Sequence, residues 1–363
     1  MSDKAEASTN LLGVSGRRRV LALALPLLGL PAWAAALPSS ARTAGPASLR
    51  QSRPLMGTQV DIAVEANAQS QVAATELAPA LERAYAEMAR QVDMMSRYRA
   101  DSVVSALKLA AGVQPVQVPP EMMKILLDAQ QLARRSNGVF DITVGALKAW
   151  HFDQGQSQIP PAELIERQLQ WVNYRELILN PSAGTAYLKR RGMAIDLGGI
   201  AKLPILEAGL NSLRAEGFEN IMVNGGGDVL YSGRWQGRPW RIGLRDPRAP
   251  QQLLGVLKLE GRGLLASSGD YERCFVQNGV RQHHILNPRS GRPSQGLRGL
   301  SLLATGEASV AAVNGLGAAF MVGGLAAGRR HIEAAPGLEA LMVDTRHGVW
   351  TSAGMGQALG PLA

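Results

Sequence analysis

"AKLPILEAGLNSLRAEGFENIMVNGGGDVLYSGRW", residues 201–235, holds a helix, its stop, a strand and a chain reversal in one stretch. The first half reads as a helix that Gly217 ends, since glycine accepts the left-handed backbone that closes a helix. "NIMVNG" (220–225) then reads as a buried strand, and the glycines at 225–227 as a tight turn before Asp228. The run lacks GxGxxG spacing and no helix follows it, so the segment speaks for a hairpin rather than a dinucleotide-binding crossover.

Strands and helices alternate on both sides of it. "LMGTQVDIAVEA" (55–66) puts Val60, Ile62 and Val64 on one face with polar residues between, a half-buried strand. "QVAATELAPALERAYAEMARQVDMMS" (71–96) carries apolar residues at helical spacing. A second helix fits "PPEMMKILLDAQQLARRSNG" (119–138), with prolines at its start and Asn137-Gly138 as its C-cap. "ELIERQLQ" (163–170) is helical, and "RELILNPSAGTAYLKRRGMAIDLGGI" (175–200) carries two strands about a turn. Strands dominate from Trp240 to Leu286, and "EASVAAVNGLGAAFMVGGLAAGRRHIEAA" (307–335) closes with one or two small-residue helices. With no repeat of fixed period and no low-complexity linker, the chain reads as one compact body of α and β elements.

Composition narrows the class. Hydrophobic residues make up 46% of the 363 against 18% charged, a globular balance, and 40 glycines imply many tight turns or close backbone approaches. Aromatics at 5% argue against a stacking platform for single strands, so no nucleic-acid partner is expected. The net charge of +9 is spread along the chain; it suits a phosphate-bearing ligand or an anionic membrane, and equally a basic surface with no partner. Cys274 is the single cysteine, which excludes an intrachain disulfide and a cysteine metal cluster.

The N-terminus reads as an address. Arg17–Arg19 precede an apolar run from Val20 to Leu30 and then Ala32-Trp33-Ala34, a small-x-small cleavage pattern. The run is shorter than the roughly 20 residues of a spanning helix and contains Pro26. Residues 1–35 are therefore expected to be a signal peptide, of the twin-arginine type or, alternatively, an ordinary secretory one. The mature chain, with its domain at 48–363, is expected to be a soluble periplasmic protein without a membrane span.

Several short stretches could carry chemistry, and each has a plain structural alternative. The glycines of "VNGGGD" (223–228) would let backbone approach an anion, or simply close a hairpin. "AIDLGGIAKL" (194–203) sets Lys202 just past two glycines at a helix start, a good place for phosphate, although most such lysines are only solvated. Ser267 and Ser268 beside Gly269 read as a turn. Phe140 and Asp141, near Trp150, could hold a planar heterocycle or be core. The paired His283 and His284 open "HHILNPRSGRP" (283–293).

Taken in order, "LMGT", "SRYRADS", "GVFDITVGAL", "AIDLGGIAK", "VNGGGD", "SSGDYER" and "HHILNPRSGRP" resemble the successive motifs of the ApbE-type FAD:protein FMN transferases, from Met56 to Gly323. The resemblance implies an α+β, T-fold-like single body with antiparallel sheets and flanking helices. It implies Mg2+-dependent transfer of FMN from FAD to a threonine hydroxyl of a periplasm-facing flavoprotein acceptor, with release of AMP. By the same resemblance the flavin and adenine contacts come from Met56, Tyr98, Phe140, Asp141, Asp196, Lys202 and Ile285. Gly225, Gly226, Gly227, Asp228 and Ser268 join them near the ligand. His284 is the candidate base, because an imidazole can take the hydroxyl proton near neutral pH. Lys202 is the candidate for charge stabilisation, and His283 is expected to be solvent-exposed.

The resemblance fails on the metal side. Aligned on Phe320, Val313 stands where the family has its metal-binding aspartate and Gly317 where it has its threonine, which leaves Gly199 and Asn314 as metal candidates. Leu203-Pro204 replace Gly-Tyr, Glu207 replaces an aspartate, and Asn287 replaces the aspartate of the histidine motif. The pattern implies a flavin transferase with an altered metal site; a non-catalytic FAD carrier on the same fold, and an FAD pyrophosphatase, are the alternatives.

Overall fold

The computed structural model describes residues 47–66, 74–152, 155, 157–306 and 309–360. The expected signal peptide lies outside the described residues. β1 (Ser48–Leu55) and β2 (Thr58–Glu65) form a hairpin closed by Met56 and Gly57, both at positive φ (55° and 71°). Two such residues match the twist of the strands they join. Helices α1 (Leu77–Met95) and α2 (Val103–Leu109), strand β3 (Val116–Gln117) and α3 (Pro120–Arg135) follow. α1 buries Leu77, Ala80, Leu81, Ala84 and Met88, the stripe its spacing predicts. α3 starts on proline and ends through Asn137 and Gly138 at φ 50° and 75°, with the Gly138 amide donating to the Ala133 carbonyl.

α4 (Ala162–Leu169) precedes β4 (Leu177–Asn180) and β5 (Thr185–Leu188), which join β3 in a small sheet. α5 (Lys202–Ala215) leads into β6 (Asn220–Gly225) and β7 (Asp228–Gly233). Gly226 and Gly227, at φ 63° and 94°, make the two-residue turn between them. Next come β8 (Trp240–Asp246), β9 (Ala249–Leu259), β10 (Gly261–Gly269) and the short hairpin of β11 (Cys274–Gln277) and β12 (Val280–His283). β13 (Gly299–Thr305), α6 (Val310–Glu333), β14 (Leu338–Val343), β15 (Val349–Thr351), α7 (Ala353–Ala358) and β16 (Leu359–Gly360) complete the chain.

One eight-stranded antiparallel sheet, in the order β1-β2-β6-β7-β10-β13-β14-β15, is the frame. It is covered on both faces, so strands such as β13 and β14 read as nearly continuous apolar runs. Leu300, Leu302, Ala340 and Met342 join the helices α1, α3, α5 and α6 in one core. Leu303, Leu341 and Val343 face a second core with Trp240, Ile242 and Leu257 from the β16-β9-β8 sheet. The architecture is the α+β body with antiparallel sheets and flanking helices that the resemblance implies. β1 escapes the sequence pattern because it is an edge strand whose alternate residues are exposed.

α6 is two helical segments that meet at a kink at Gly324, whose φ of 77° is non-helical. Gly296 packs its backbone into the break: a Cβ there would lie 2.5 Å from the Met321 carbonyl oxygen. Among the described residues α6 alone has the length and apolarity of a membrane span, but it packs against β10, β13, α3 and α5 as a core helix.

Candidate functional site

The sheet register collects several of the candidate motifs at one end. Val60 pairs with Gly225, so the Met56-Gly57 turn and the Gly226-Gly227 turn project from the same edge. A Cβ on Gly226 would sit 2.5 Å from Thr58 Oγ1, which adds a packing reason for glycine to the conformational one. Met56 holds positive φ without being glycine, an uncommon state that persists only where the surroundings impose it. β10 runs beyond the start of β7 at this end, and the Ser267 amide donates to Asp228 Oδ1 at 2.7 Å.

Lys202 begins α5, and its Nζ lies 3.0 Å from Asp228 Oδ2. The Asp228 charge keeps the ammonium protonated beyond its ordinary range. No side chain at the usual capping position closes α5; Asn314, one helix away on α6, accepts from the Leu203 amide at 3.1 Å. Pro204 sits in the first turn, where its missing amide hydrogen is not needed. On α6, a Cβ at Gly317 would fall 2.6 Å from Ser268 Oγ, so the glycine makes room for that hydroxyl. Gly199 sits between Ala318 and Phe140, where an added Cβ would meet them at 3.3 and 3.5 Å.

Phe140 and Asp141 are built into the framework. Phe140 belongs to the main core, and Asp141 is buried with its charge disfavoured by desolvation. Its Oδ1 accepts from the Thr143 amide and hydroxyl, and its Oδ2 from the Tyr174 amide. Both oxygens of the expected flavin contact therefore serve the fold. Trp150 resolves toward core as well, stacked on Phe152 at 5.6 Å and donating to the Gly291 carbonyl. The 142–146 turn docks on the 194–196 segment, with the Asp196 amide bonded to the Ile142 carbonyl at 2.7 Å.

A second polar group surrounds Asp196. Its Oδ1 accepts from the Gly198 amide and its Oδ2 from Arg97, both close to 2.8 Å. Arg97 lies over the Tyr98 ring, which is 69% exposed, and Arg273 donates to the Tyr98 hydroxyl at 3.2 Å. His284 feels the charges of Arg273 and Asp196 and donates its backbone amide to the Arg273 carbonyl. Desolvation, then the positive charge of its neighbours, pushes the imidazole down to about 4, so it is neutral at physiological pH. Its Nδ1 is buried without a hydrogen-bond partner among the described residues.

His283 differs from expectation. It is buried, with Nε2 at 2.7 Å from the Ser294 carbonyl and Nδ1 accepting from the Ile285 amide. The alternation of β12 turns one histidine inward while its neighbour faces the other way. Ile285 is half-buried against the main core, and Asn287 Oδ1 accepts from the Arg289 amide, closing the turn. The turn glycines, Asp228, Lys202, Ser268, Gly199 and Phe140 thus come together, while Tyr98, Asp196 and His284 form the adjoining group along the 196–202 loop. Arg97 and Arg273 were passed over in the sequence although both lie inside quoted motifs; their only signal was adjacency to Tyr98 and to the SSGDYE run. A cleft of about 730 Å³ at the opposite end of the β6–β7 hairpin, lined by Arg214, Gly217 and Arg262, contains none of these residues.

The donor set does not fit Mg2+, which requires several hard oxygens in near-octahedral array. Val313 and Gly317 carry no side-chain ligand atom. Asn314 Oδ1, expected as a metal oxygen, accepts from the Leu203 amide, and Gly199 offers only a backbone carbonyl oxygen. Among the described residues no three Asp, Glu, His or Cys side chains gather to hold an ion.

The comparisons with known proteins agree on one family. The ApbE family matches residues 56–342. A FAD:protein FMN transferase of Klebsiella pneumoniae is 34% identical over 58% of this chain and 66% of its own length. One from Treponema pallidum is 29% identical over 61% of this chain and 65% of its own. The aligned part thus spans just under two thirds of these curated relatives. Among solved structures, the ApbE protein of Thermotoga maritima superposes with a TM-score of 0.76 at 28% identity, covering 86% of this chain and 99% of that one. The flavin transferase ApbE of Vibrio cholerae gives 0.72 at 26%, with the same coverage.

Proposed function

The chain belongs to the ApbE family, and from that premise we propose that it is a transferase moving FMN from FAD to a threonine hydroxyl of a flavoprotein acceptor. The observation that carries the reading is His284: a neutral imidazole whose buried Nδ1 has no partner among the described residues, beside the sheet end where the motif residues gather. A base must be unprotonated to act and must reach the reacting hydroxyl. The diphosphate of a bound dinucleotide would bring negative charge close to the ring and raise its proton affinity, which moves it toward a useful working range.

In the step, the threonine oxygen forms a bond to the FMN phosphorus while the anhydride P–O bond to AMP breaks. The hydroxyl proton passes to His284, and AMP leaves with the bridging oxygen. In this reading Lys202 and the glycine-turn amides are the donors that would meet the charge growing on the phosphoryl oxygens. In the same reading Met56, Tyr98, Ile285 and Asp196 are the flavin and adenine contacts, and Phe140 and Asp141 support them from the framework. With residues 1–35 read as an export address, of the twin-arginine or the ordinary secretory type, the acceptor in this proposal is a periplasm-facing redox protein. Arg17→Lys with Arg18→Lys is expected to keep the precursor in the cytoplasm, as read by fractionation.

The test is purified chain with FAD and a threonine-bearing acceptor, followed by in-gel flavin fluorescence. Labelled acceptor and stoichiometric AMP are expected; His284→Ala keeps FAD and loses the label by a factor of about 100 or more. One observation favours a second reading, a flavin carrier on the same fold: the donor set unsuited to Mg2+. Bound FAD with an unlabelled acceptor would establish it. AMP and FMN appearing without acceptor would mark a pyrophosphatase.

A further inference from the structure

Among the described residues, resident groups already pair the carboxylates of Asp228, Asp196, Asp270 and Glu272 near the Lys202 end of the sheet. Asp228 meets Lys202 and the Ser267 amide, and Asp196 meets Arg97 and the Gly198 amide. Asp270 is bridged by Arg281 and Arg298, and Glu272 by Arg245. A divalent ion arriving here would have to break ion pairs that the fold has made. Meanwhile Lys202 occupies the first turn of α5, where the helix dipole is already positive and a cation lowers helix stability. The Asp228 carboxylate offsets that cost, and a local rule broken at such a place is a mark of a functional position.

The two partners in that pair are placed differently. The Lys202 side chain is 30% exposed and the Asp228 side chain 2%. Only the ammonium can meet a ligand from solvent; one of its hydrogens faces Asp228, and two remain for phosphate oxygens. We propose that this chain holds the diphosphate of FAD without a divalent cation, the Lys202 ammonium, fixed by Asp228, being the cation at that diphosphate. The inference rests on the flavin reading of the same site and adds how its charge is met. During transfer the ammonium stabilises the oxygens that gain charge and is itself unchanged, so the atom and proton balance stated above stands.

FAD titration of the full chain, followed by flavin fluorescence in EDTA and in millimolar Mg2+, tests the metal-free mode. Dissociation constants within about threefold of each other are expected, and a tightening of about tenfold or more in Mg2+ overturns it. Two variants test the lysine. Lys202→Met with Asp228→Asn removes both charges and leaves no buried carboxylate unpaired, and Lys202→Gln keeps a donor to Asp228 without the charge. Either is expected to weaken FAD about tenfold or more, while Lys202→Arg stays within a few-fold. Parent-like affinity in a folded Lys202→Gln or double variant overturns the role of Lys202. Failure to bind FAD in either buffer removes the flavin reading and this inference together. Metal-free FAD binding with no labelled acceptor removes the transfer step and leaves the inference standing.

Discussion

Gly145 is small because backbone passes over it: a Cβ there would lie 2.3 Å from the Ile195 carbonyl carbon and 2.6 Å from its oxygen. Neither atom can rotate away, so Gly145→Ala must push the 194–202 loop off the 142–146 turn. A loss of about 1–3 kcal/mol is expected in urea denaturation, with weaker FAD binding because Asp196 and Lys202 ride on that loop. His284 sets a pH signature at the same scale. Its folded value of about 4 lies below the ordinary 6.5, and burial lowers His283 in the same direction. The unfolded chain therefore binds more protons between those values, so this stabilisation is complete above pH 6.5 and is lost as pH falls toward 4. His284→Gln should flatten that part of the stability curve by on the order of 3 kcal/mol, measured as the difference between the two denaturation curves. Parallel curves would mean the ring is not desolvated.

At the scale of elements, α5 is started by another helix. Asn314 on α6 supplies the cap, and Lys202 opposes the dipole while Asp228 offsets it. Asn314→Ala should lower stability by about 1 kcal/mol, and Asn314→Asp should keep it, since both Asn and Asp cap well. Thermal melting distinguishes the two; equal losses would show that the side chain packs rather than caps. Sequence periodicity could place α5 and α6 but not this contact, because a cap from 111 residues away leaves no local pattern. α2 was likewise not legible: Val103–Leu109 is too short for a period to emerge.

Across the whole molecule, the β6–β7 hairpin at Gly226-Gly227 was legible as strand and turn, the Met56-Gly57 turn was hidden inside what reads as one strand, and the order of motifs carried the family. Which motifs share an end of the sheet was not legible, since β2 meets β6 at Val60↔Gly225, two residues 165 positions apart in the chain. The sequence by itself determined the longer elements, the glycines of the Gly225–Gly227 turn, and the missing metal ligands at Val313 and Gly317, because these depend on local backbone preference and side-chain chemistry. Only the tertiary structure decided that His283 is buried, that Asp141 and Asn314 bond the framework, and that Asp228 pairs with Lys202. Those outcomes turn on which partner a polar atom finds, and partners distant in the chain are fixed by sheet register and helix packing.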